Sequence, residues 1–529
     1  MSFVSLVFLV FVCVTFVIYF AIPKKYQWIC LLVASYIFYL SYSIGMGIFI
    51  VITTITTFFA AKFMQDFQQK GEKFIAENKE NITVEQKKSI KSKVQKRRRL
   101  IMWSTVILNF GILGYFKYLG VFMQNILNLL GYADMAEFGW AFSIVLPIGI
   151  SFYTFQSISY VLDVYRKKYS PAQNIAKYAL FVSFFPQILQ GPISRYNELS
   201  TELYKEHKLN YSNCKNGVLL ILWGLFKVLI IASRAGVLVE TVLANYAGYS
   251  GSIIFIGMIM YVIQLYCSFS GGIDIARGVA QIFGITMTQN FQRPFCAKSA
   301  SEFWRRWHIS LGTWMKDYVF FPLSISKTFA SIGRKSKKLF GKYVGKVLPT
   351  CIASIIVFLL VGVWHGASLN YVAFGLYYGV IIAISTLLEP TFHKITSKLK
   401  IKTNHFGYVL FQRTRTAIIF LISAYFAVAA GLKASLIMLK TTVANFDVAS
   451  LLNGSLLNLG ITKFDYFVIA IGVVILWVVG SLQEKNIAIR ESLSKKNICI
   501  RYCVYLLLVF SILMLSLTTS HGGFMYEKF

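Results

Sequence analysis

The chain has 529 residues, 57% of them hydrophobic and 14% charged, against about 25% charged in an ordinary soluble domain. With a mean hydropathy of +0.62, this excludes a string of soluble domains and predicts an all-α polytopic membrane protein. The 53 Lys+Arg against 21 Asp+Glu give a formal charge of +32, which in a soluble chain points to nucleic acid and in a membrane chain points first to topology.

About a dozen apolar runs approach the roughly 20 residues that cross about 30 Å of hydrocarbon. They fall at 3–22, 27–43, 46–62, 100–118, 141–163, 217–244, 252–285, 347–364, 368–389, 410–431, 463–482 and 502–519. The first lacks a basic leader and a small-residue cleavage site, so it is read as a span and not as a signal peptide. Lys62 to Arg99 holds twelve basic residues, Lys327 to Lys346 seven, His393 to Lys402 four and Glu484 to Arg501 five, together 28 of the 53. Threading the spans in order puts all four windows, with Lys24, Lys25 and Arg166 to Lys168, on one side. The positive-inside rule makes that side the cytoplasm and leaves both termini extracytoplasmic. Residues 63–99 then read as a solvated basic hairpin, without the stacking aromatics that nucleic-acid binding needs. The eight cysteines show neither a disulfide framework nor a CxxC metal pattern.

Polar side chains near spans are costly, and three stretches concentrate them. Phe181 to Tyr196 (FVSFFPQILQGPISRY) carries Pro186, Gln187, Gln190, Gly191, Pro192 and Arg195 in an apolar setting. Prolines and glycine break a helix there, which predicts a re-entrant loop or a cytoplasmic connection. Ser301 to Leu323 (SEFWRRWHISLGTWMKDYVFFPL) interleaves Trp304, Trp307, Trp314 and Tyr318 with Glu302, Arg305, Arg306, His308, Lys316 and Asp317. It is too polar to cross and suits a helix lying in the interface or dipping partway in, by composition alone an anchor.

The third stretch, Val361 to Ser368 (VGVWHGAS), ends an apolar run with Trp364, His365 and Gly366. A neutral imidazole takes a hydroxyl proton near pH 7, and the glycine lets a substrate or backbone approach; a histidine buried between helices fits the same pattern. His207, His393 and His405 lie in charged linkers and read as solvated, and His521 lies in the C-terminal tail. No Walker loop, GxSxG elbow or zinc spacing is present, so no metal is expected.

Taken together, FFPQILQGPISRY (Phe184 to Tyr196), EFWRRWHISLGTWMKDYVFFPL (Glu302 to Leu323) and GVWHGAS (Gly362 to Ser368) resemble the signature blocks of the membrane-bound O-acyltransferase family, in its bacterial branch. The resemblance implies transmembrane and re-entrant helices around a central funnel, His365 as the active-site histidine and His308 as a second functional histidine nearer the cytoplasm. A fourth block, Cys267-Ser-Phe-Ser-Gly-Gly-Ile-Asp274, keeps Asp274 but has Ser268 and Gly272 where the family often has Asp and Tyr. The 160 or so residues beyond Gly366, and the ending Phe524 to Phe529, look like the alginate and peptidoglycan O-acetyltransferase branch. By contrast, the teichoic acid D-alanyl transferases close soon after the histidine block.

The resemblance thus implies one integral-membrane acyltransferase domain, 1–529, with its catalytic core at 178–370 and extra transmembrane helices at 400–529. An acetyl group would pass from cytoplasmic acetyl-CoA, a substrate and not a bound cofactor, to a hydroxyl of an exported or cell-wall polysaccharide. A secreted SGNH-type partner would relay it. Arg305, Arg306, Lys298 and Arg293 are expected to attract the donor's phosphates. Trp307, Trp364, Asp317, Gln187, Gln190, Arg195 and Asp274 are further donor or substrate contacts. His308 and His365 are expected on opposite sides of a thin barrier. A D-alanyl transferase using a carrier protein, or a transporter, remains an alternative; against the transporter, neither the FPQ nor the WHG stretch recurs in a second half.

Overall fold

The structure, a computed structural model, describes residues 1–129 and 146–517. Among them the regular structure is helical: a bilayer leaves each span to satisfy its own backbone N–H and C=O groups, which a helix does internally. The protein is therefore an all-α, multi-pass membrane protein. It divides into two compact units, Met1–Gly217 with Ala276–Thr288, and Val218–Ile275 with the described residues from Gln289 onward.

In the first unit α1 (Leu6–Ala21), α2 (Gln27–Leu40), α3 (Gly47–Glu77) and α4 (Val84–Leu129) are followed by α5 (Ile150–Tyr165). Short helices α6 (Ile175–Ser183), α7 (Phe185–Ile188) and α8 (Tyr196–Tyr204) come next. Helices α3 and α4 run on well beyond the apolar windows 46–62 and 100–118, so the basic run 63–99 consists largely of their extensions, joined near Asn78. The extensions touch closely: a Cβ on Gly71 would meet Val94 at 2.6 Å. Arg98 is not solvated as its neighbours are. It is buried, and its guanidinium donates to the Val164 and Tyr165 carbonyls at 3.2 and 2.8 Å, capping the C-terminus of α5. His207 is likewise half-buried: Nε2 meets the Glu202 carbonyl at 2.8 Å, and its backbone N–H and C=O are both held by the Gln27 carboxamide.

Helix α9 (Tyr211–Leu225) begins in this unit and leads, through a π-helical stretch over Phe226–Ala232, into α10 (Ser233–Ala244). Next comes α11 (Gly251–Ile282). In the second unit the stretch rich in Trp is a chain of short helices, α12 (Ala300–Arg306), α13 (Ile309–Met315) and α14 (Phe321–Ser324), with a π-helical turn over Lys316–Phe320. The long α15 (Lys327–His365) contains a non-helical residue, Gly341 at φ 85°, which divides its basic beginning from its apolar remainder. It packs on α16 (Leu369–Leu387), and glycines make the approach possible: a Cβ on Gly362 would lie 2.2 Å from the Tyr371 carbonyl oxygen. After α17 (Glu389–Lys398) follow α18 (Phe406–Val428), α19 (Leu432–Ala444), α20 (Ala449–Leu452), α21 (Lys463–Glu484), α22 (Ile489–Ser494) and α23 (Ile498–Leu515).

Each predicted span overlaps a helix, yet among the described residues only eight are both long and apolar enough to cross: α3, α4, α9 through α10, α11, α15, α16, α21 and α23. Helices α1, α2 and α5, with 16, 14 and 16 residues, cover roughly 21–24 Å at about 1.5 Å per residue, short of the hydrocarbon thickness. Residues 141–145 of one predicted span, His521 and the ending Phe524 to Phe529 lie outside the described residues.

Candidate active site

Two backbone features of the second unit build the site around His308. Helix α12 is capped at its start, where the Ser299 hydroxyl accepts from the Glu302 N–H at 3.2 Å and Glu302 reaches back to the Lys298 N–H at 2.9 Å. It ends at Trp307, and His308 takes a left-handed conformation, φ 45° and ψ 53°, that turns the chain into α13. Residues other than glycine are uncommon there, asparagine, aspartate and histidine being the most frequent of them. Segment 290–292 pairs with this bend, Gln292 N–H to Arg306 C=O at 2.9 Å and Ile309 N–H to Asn290 C=O at 3.0 Å.

That pairing delivers Asn290, fully buried, to the imidazole. Its Oδ1 accepts the Ser310 N–H at 2.8 Å, and its Nδ2 lies 3.2 Å from His308 Nδ1. Nδ1 of His308 also lies 3.4 Å from Oδ1, so the ring meets both atoms of one carboxamide and either neutral tautomer satisfies the contact. His308 lies outside the spanning helices; burial, with the neighbouring charge of His365 second, pushes its pKa down to about 3. It is a neutral donor at any physiological pH. Phe269 meets the ring edge-on at a centroid distance of 4.9 Å, and Trp364 stands 5.9 Å away.

His365 is the last residue of α15 and is half-buried. Trp364 lies 4.7 Å from its ring, Phe374 meets it edge-on at 5.7 Å, and Tyr371 is nearly parallel to it at 6.3 Å. The close approach expected at Gly366 is made by Tyr371, whose ring atoms would lie 2.4 Å from a Cβ there. Both histidines therefore bear on one indole, that of Trp364. Packing thus closes the sequence separation of 57 positions, with the Trp364 indole beside both rings.

The cations near α12 are mostly committed to carboxylates. Arg306 pairs with Glu302 at 2.7 Å and with Glu484 at 3.0 Å, and Arg293 pairs with Glu484 at 2.7 Å. Arg305 is exposed and, among the described residues, has no ion pair. Trp307 is 4% exposed, stacked on Phe303 at 5.5 Å and against Phe291 and Phe420, so packing accounts for it. Asp317 is half-buried on the π-helical turn after α13. Asp274, on α11, forms an ion pair at 2.5 Å with Lys227.

Gln187, Gln190 and Arg195 belong to the first unit. Gln187 donates to the Gln156 carboxamide at 2.6 Å, and Gln156 donates to the Phe181 carbonyl at 2.7 Å. Gln190 is 1% exposed and neither atom of its carboxamide has a partner among the described residues. Sequence reasoning missed Asn290, Tyr371 and Lys227. Nothing marks the first two in a single sequence, whereas Lys227 was visible as a cation within the predicted span 217–244.

The membrane-bound O-acyltransferase family model matches residues 172–425, a range that contains both histidines, Asn290 and the Phe184 to Tyr196 block. The chain belongs to the membrane-bound O-acyltransferase family. Among curated relatives, a probable alginate O-acetylase AlgI of Pseudomonas aeruginosa is 33% identical over 284 residues, 54% of this chain and 51% of that protein. A peptidoglycan O-acetyltransferase of Helicobacter pylori is 30% identical over 313 residues, 54% and 55% of the two chains. A teichoic acid D-alanyltransferase of Bacillus subtilis is 29% identical over 246 residues, 46% and 59%. The match to the first relatives thus extends over about half to two thirds of their length.

Proposed function

We propose that this protein is an O-acyltransferase that moves an acetyl group from cytoplasmic acetyl-CoA to a hydroxyl of an exported or cell-surface polysaccharide, through a secreted SGNH-type partner. The observation that carries the reading is the pair of histidines on Trp364, one half-buried at a helix end and one buried and neutral. The similarity to alginate and peptidoglycan O-acetylating proteins supports acetyl as the group and a polysaccharide as the acceptor.

In this mechanism His365 removes the proton from the acceptor hydroxyl as its oxygen attacks the thioester carbonyl. The C–S bond breaks, and the imidazolium returns the proton to the departing thiolate. His308, neutral at physiological pH, orients the donor by hydrogen bonding. Arg305, exposed and without an ion pair among the described residues, meets the donor's phosphates together with Lys298. The catalytic core is assigned to 178–370 and the accessory helices to 400–529, with basic loops cytoplasmic and both termini extracytoplasmic.

The test is thiol release from acetyl-CoA by the purified protein with its acceptor. Loss of release in His365→Ala with folding intact supports the assignment, and wild-type turnover in that variant overturns it. Comparing free acetyl-CoA with a D-alanyl-loaded carrier protein as donor decides against the D-alanyl reading, which the Bacillus subtilis relative keeps in view. Counterflow uptake without thiol release would instead mark a transporter.

A further inference from the structure

Lys227 lies in the π-helical stretch between α9 and α10, within a helical run long and apolar enough to cross a membrane, and is 2% exposed. Its ammonium donates to Ser270 Oγ at 3.0 Å and to Asp274 Oδ2 at 2.5 Å, both one turn apart on the same face of α11. Glycines bring the two helices together at this point: a Cβ on Gly224 would lie 2.6 Å from the Gly271 carbonyl oxygen, and one on Gly271 would lie 2.8 Å from that of Gly224.

A buried ion pair regains at best what desolvation costs, so stability alone does not explain one here. What the pair does fix is the rotation of α11. An α-helix turns about 100° per residue, and Phe269, next to Ser270, is the residue whose ring meets His308 edge-on at 4.9 Å. A π-helical insertion re-aims the side chains that follow it and recurs at functional sites.

We propose that Lys227 is a positioning residue for His308: by holding Ser270 and Asp274 it sets the rotation of α11 that presses Phe269 against the imidazole. The inference rests on the acyltransferase reading for its kinetic consequence but not for its structural one. The device acts on His308 through packing.

The test uses the full-length protein in lipid nanodiscs with nitrogen-15-labelled histidine, the His308 signals being assigned by their absence in His308→Gln. Because Lys227→Met alone leaves Asp274 without its cation and threatens folding, the charge-free pair Lys227→Met with Asp274→Asn is the main variant, and Lys227→Arg is the conservative one. The charge-free pair is expected to melt within a few degrees of wild type, to shift the His308 ring-nitrogen signals, and to lower thiol release per folded molecule tenfold or more at unchanged donor KM. Lys227→Arg restores most of that loss. Phe269→Leu gives a similar loss, and adding it to the charge-free pair lowers release little further, since both act on one contact.

Unchanged His308 signals in the charge-free pair, or losses that multiply when Phe269→Leu is added, would overturn the proposal. A wild-type protein that releases no thiol would instead sink the acyltransferase reading, while the nitrogen signals would still decide this one.

Discussion

Asn290 and His308 form a buried pair in which the carboxamide is itself fixed from behind: Oδ1 takes the Ser310 N–H at 2.8 Å while Nδ2 faces Nδ1 of the ring at 3.2 Å. The asparagine therefore holds both the orientation of the imidazole and the start of α13. Asn290→Ala should cost roughly 1–3 kcal/mol by leaving buried groups unpaired, and it should reduce acyl transfer through the freed ring. A melting curve measured beside a turnover assay separates the two effects. Asn290→Ala with wild-type melting and turnover would remove the pair from the site.

The depressed pKa of His308 has a consequence for stability. Unfolded, the imidazole binds a proton below about 6.5; folded, it does so only near 3. As pH falls through that window the unfolded state gains protons that the folded state refuses, so this group costs the fold roughly 1.4 kcal/mol per pH unit. The melting temperature should decline from pH 6.5 toward pH 4. His308→Gln should flatten the decline, and an unchanged slope in that variant would exclude His308 as its source.

At Gly366 the constraint is steric. Alanine would put its Cβ 2.4 Å from the Tyr371 ring, which is nearly parallel to that of His365. Gly366→Ala should lower the melting temperature and abolish most transfer, because Tyr371 must move and His365 loses its neighbour. Adding Tyr371→Ala should recover much of the melting temperature but not the activity.

The cations of α12 divide by partner. Arg306→Ala should destabilise by roughly 1–3 kcal/mol, since it leaves Glu302 and Glu484 short of a counter-charge, with little change in donor KM. Arg305→Ala should do the reverse, raising donor KM several-fold with stability unchanged. Donor titrations read out at two salt concentrations check this, because the exposed cation's contribution is screened by salt.

Gln190 presents a different balance. Its buried carboxamide has no partner among the described residues, so Gln190→Leu removes an uncompensated desolvation cost and should raise the melting temperature by a few degrees. A simultaneous fall in transfer would identify the carboxamide as serving the reaction, and unchanged transfer would exclude that role.

Much of this architecture was readable from residue order alone. Apolar run length located the helices, and the polar interruptions at His308 and His365 located the two rings that meet at Trp364, because polar groups near a membrane must have a reason to be there. What could not be read were relationships set by tertiary packing. The Asn290 contact depends on a two-residue backbone pairing across the 308 bend, and the Tyr371 ring reaches His365 only because Gly362 and Gly366 let α16 come close. Trp307 and Arg306 looked alike as candidates in the sequence, and burial in one case and Glu484 in the other set them apart from Arg305.

The length of α3 and α4 has a practical side. Residues 84–99 of α4 precede its apolar window and extend it by roughly 24 Å at about 1.5 Å per residue, alongside the extension of α3 at Gly71 and Val94. A folded reporter domain inserted at the turn between Asn78 and Thr83 would be held away from the detergent or lipid belt. It would serve as a fiducial mark for particle images, and the side of the membrane on which it emerges would fix the orientation of every other loop.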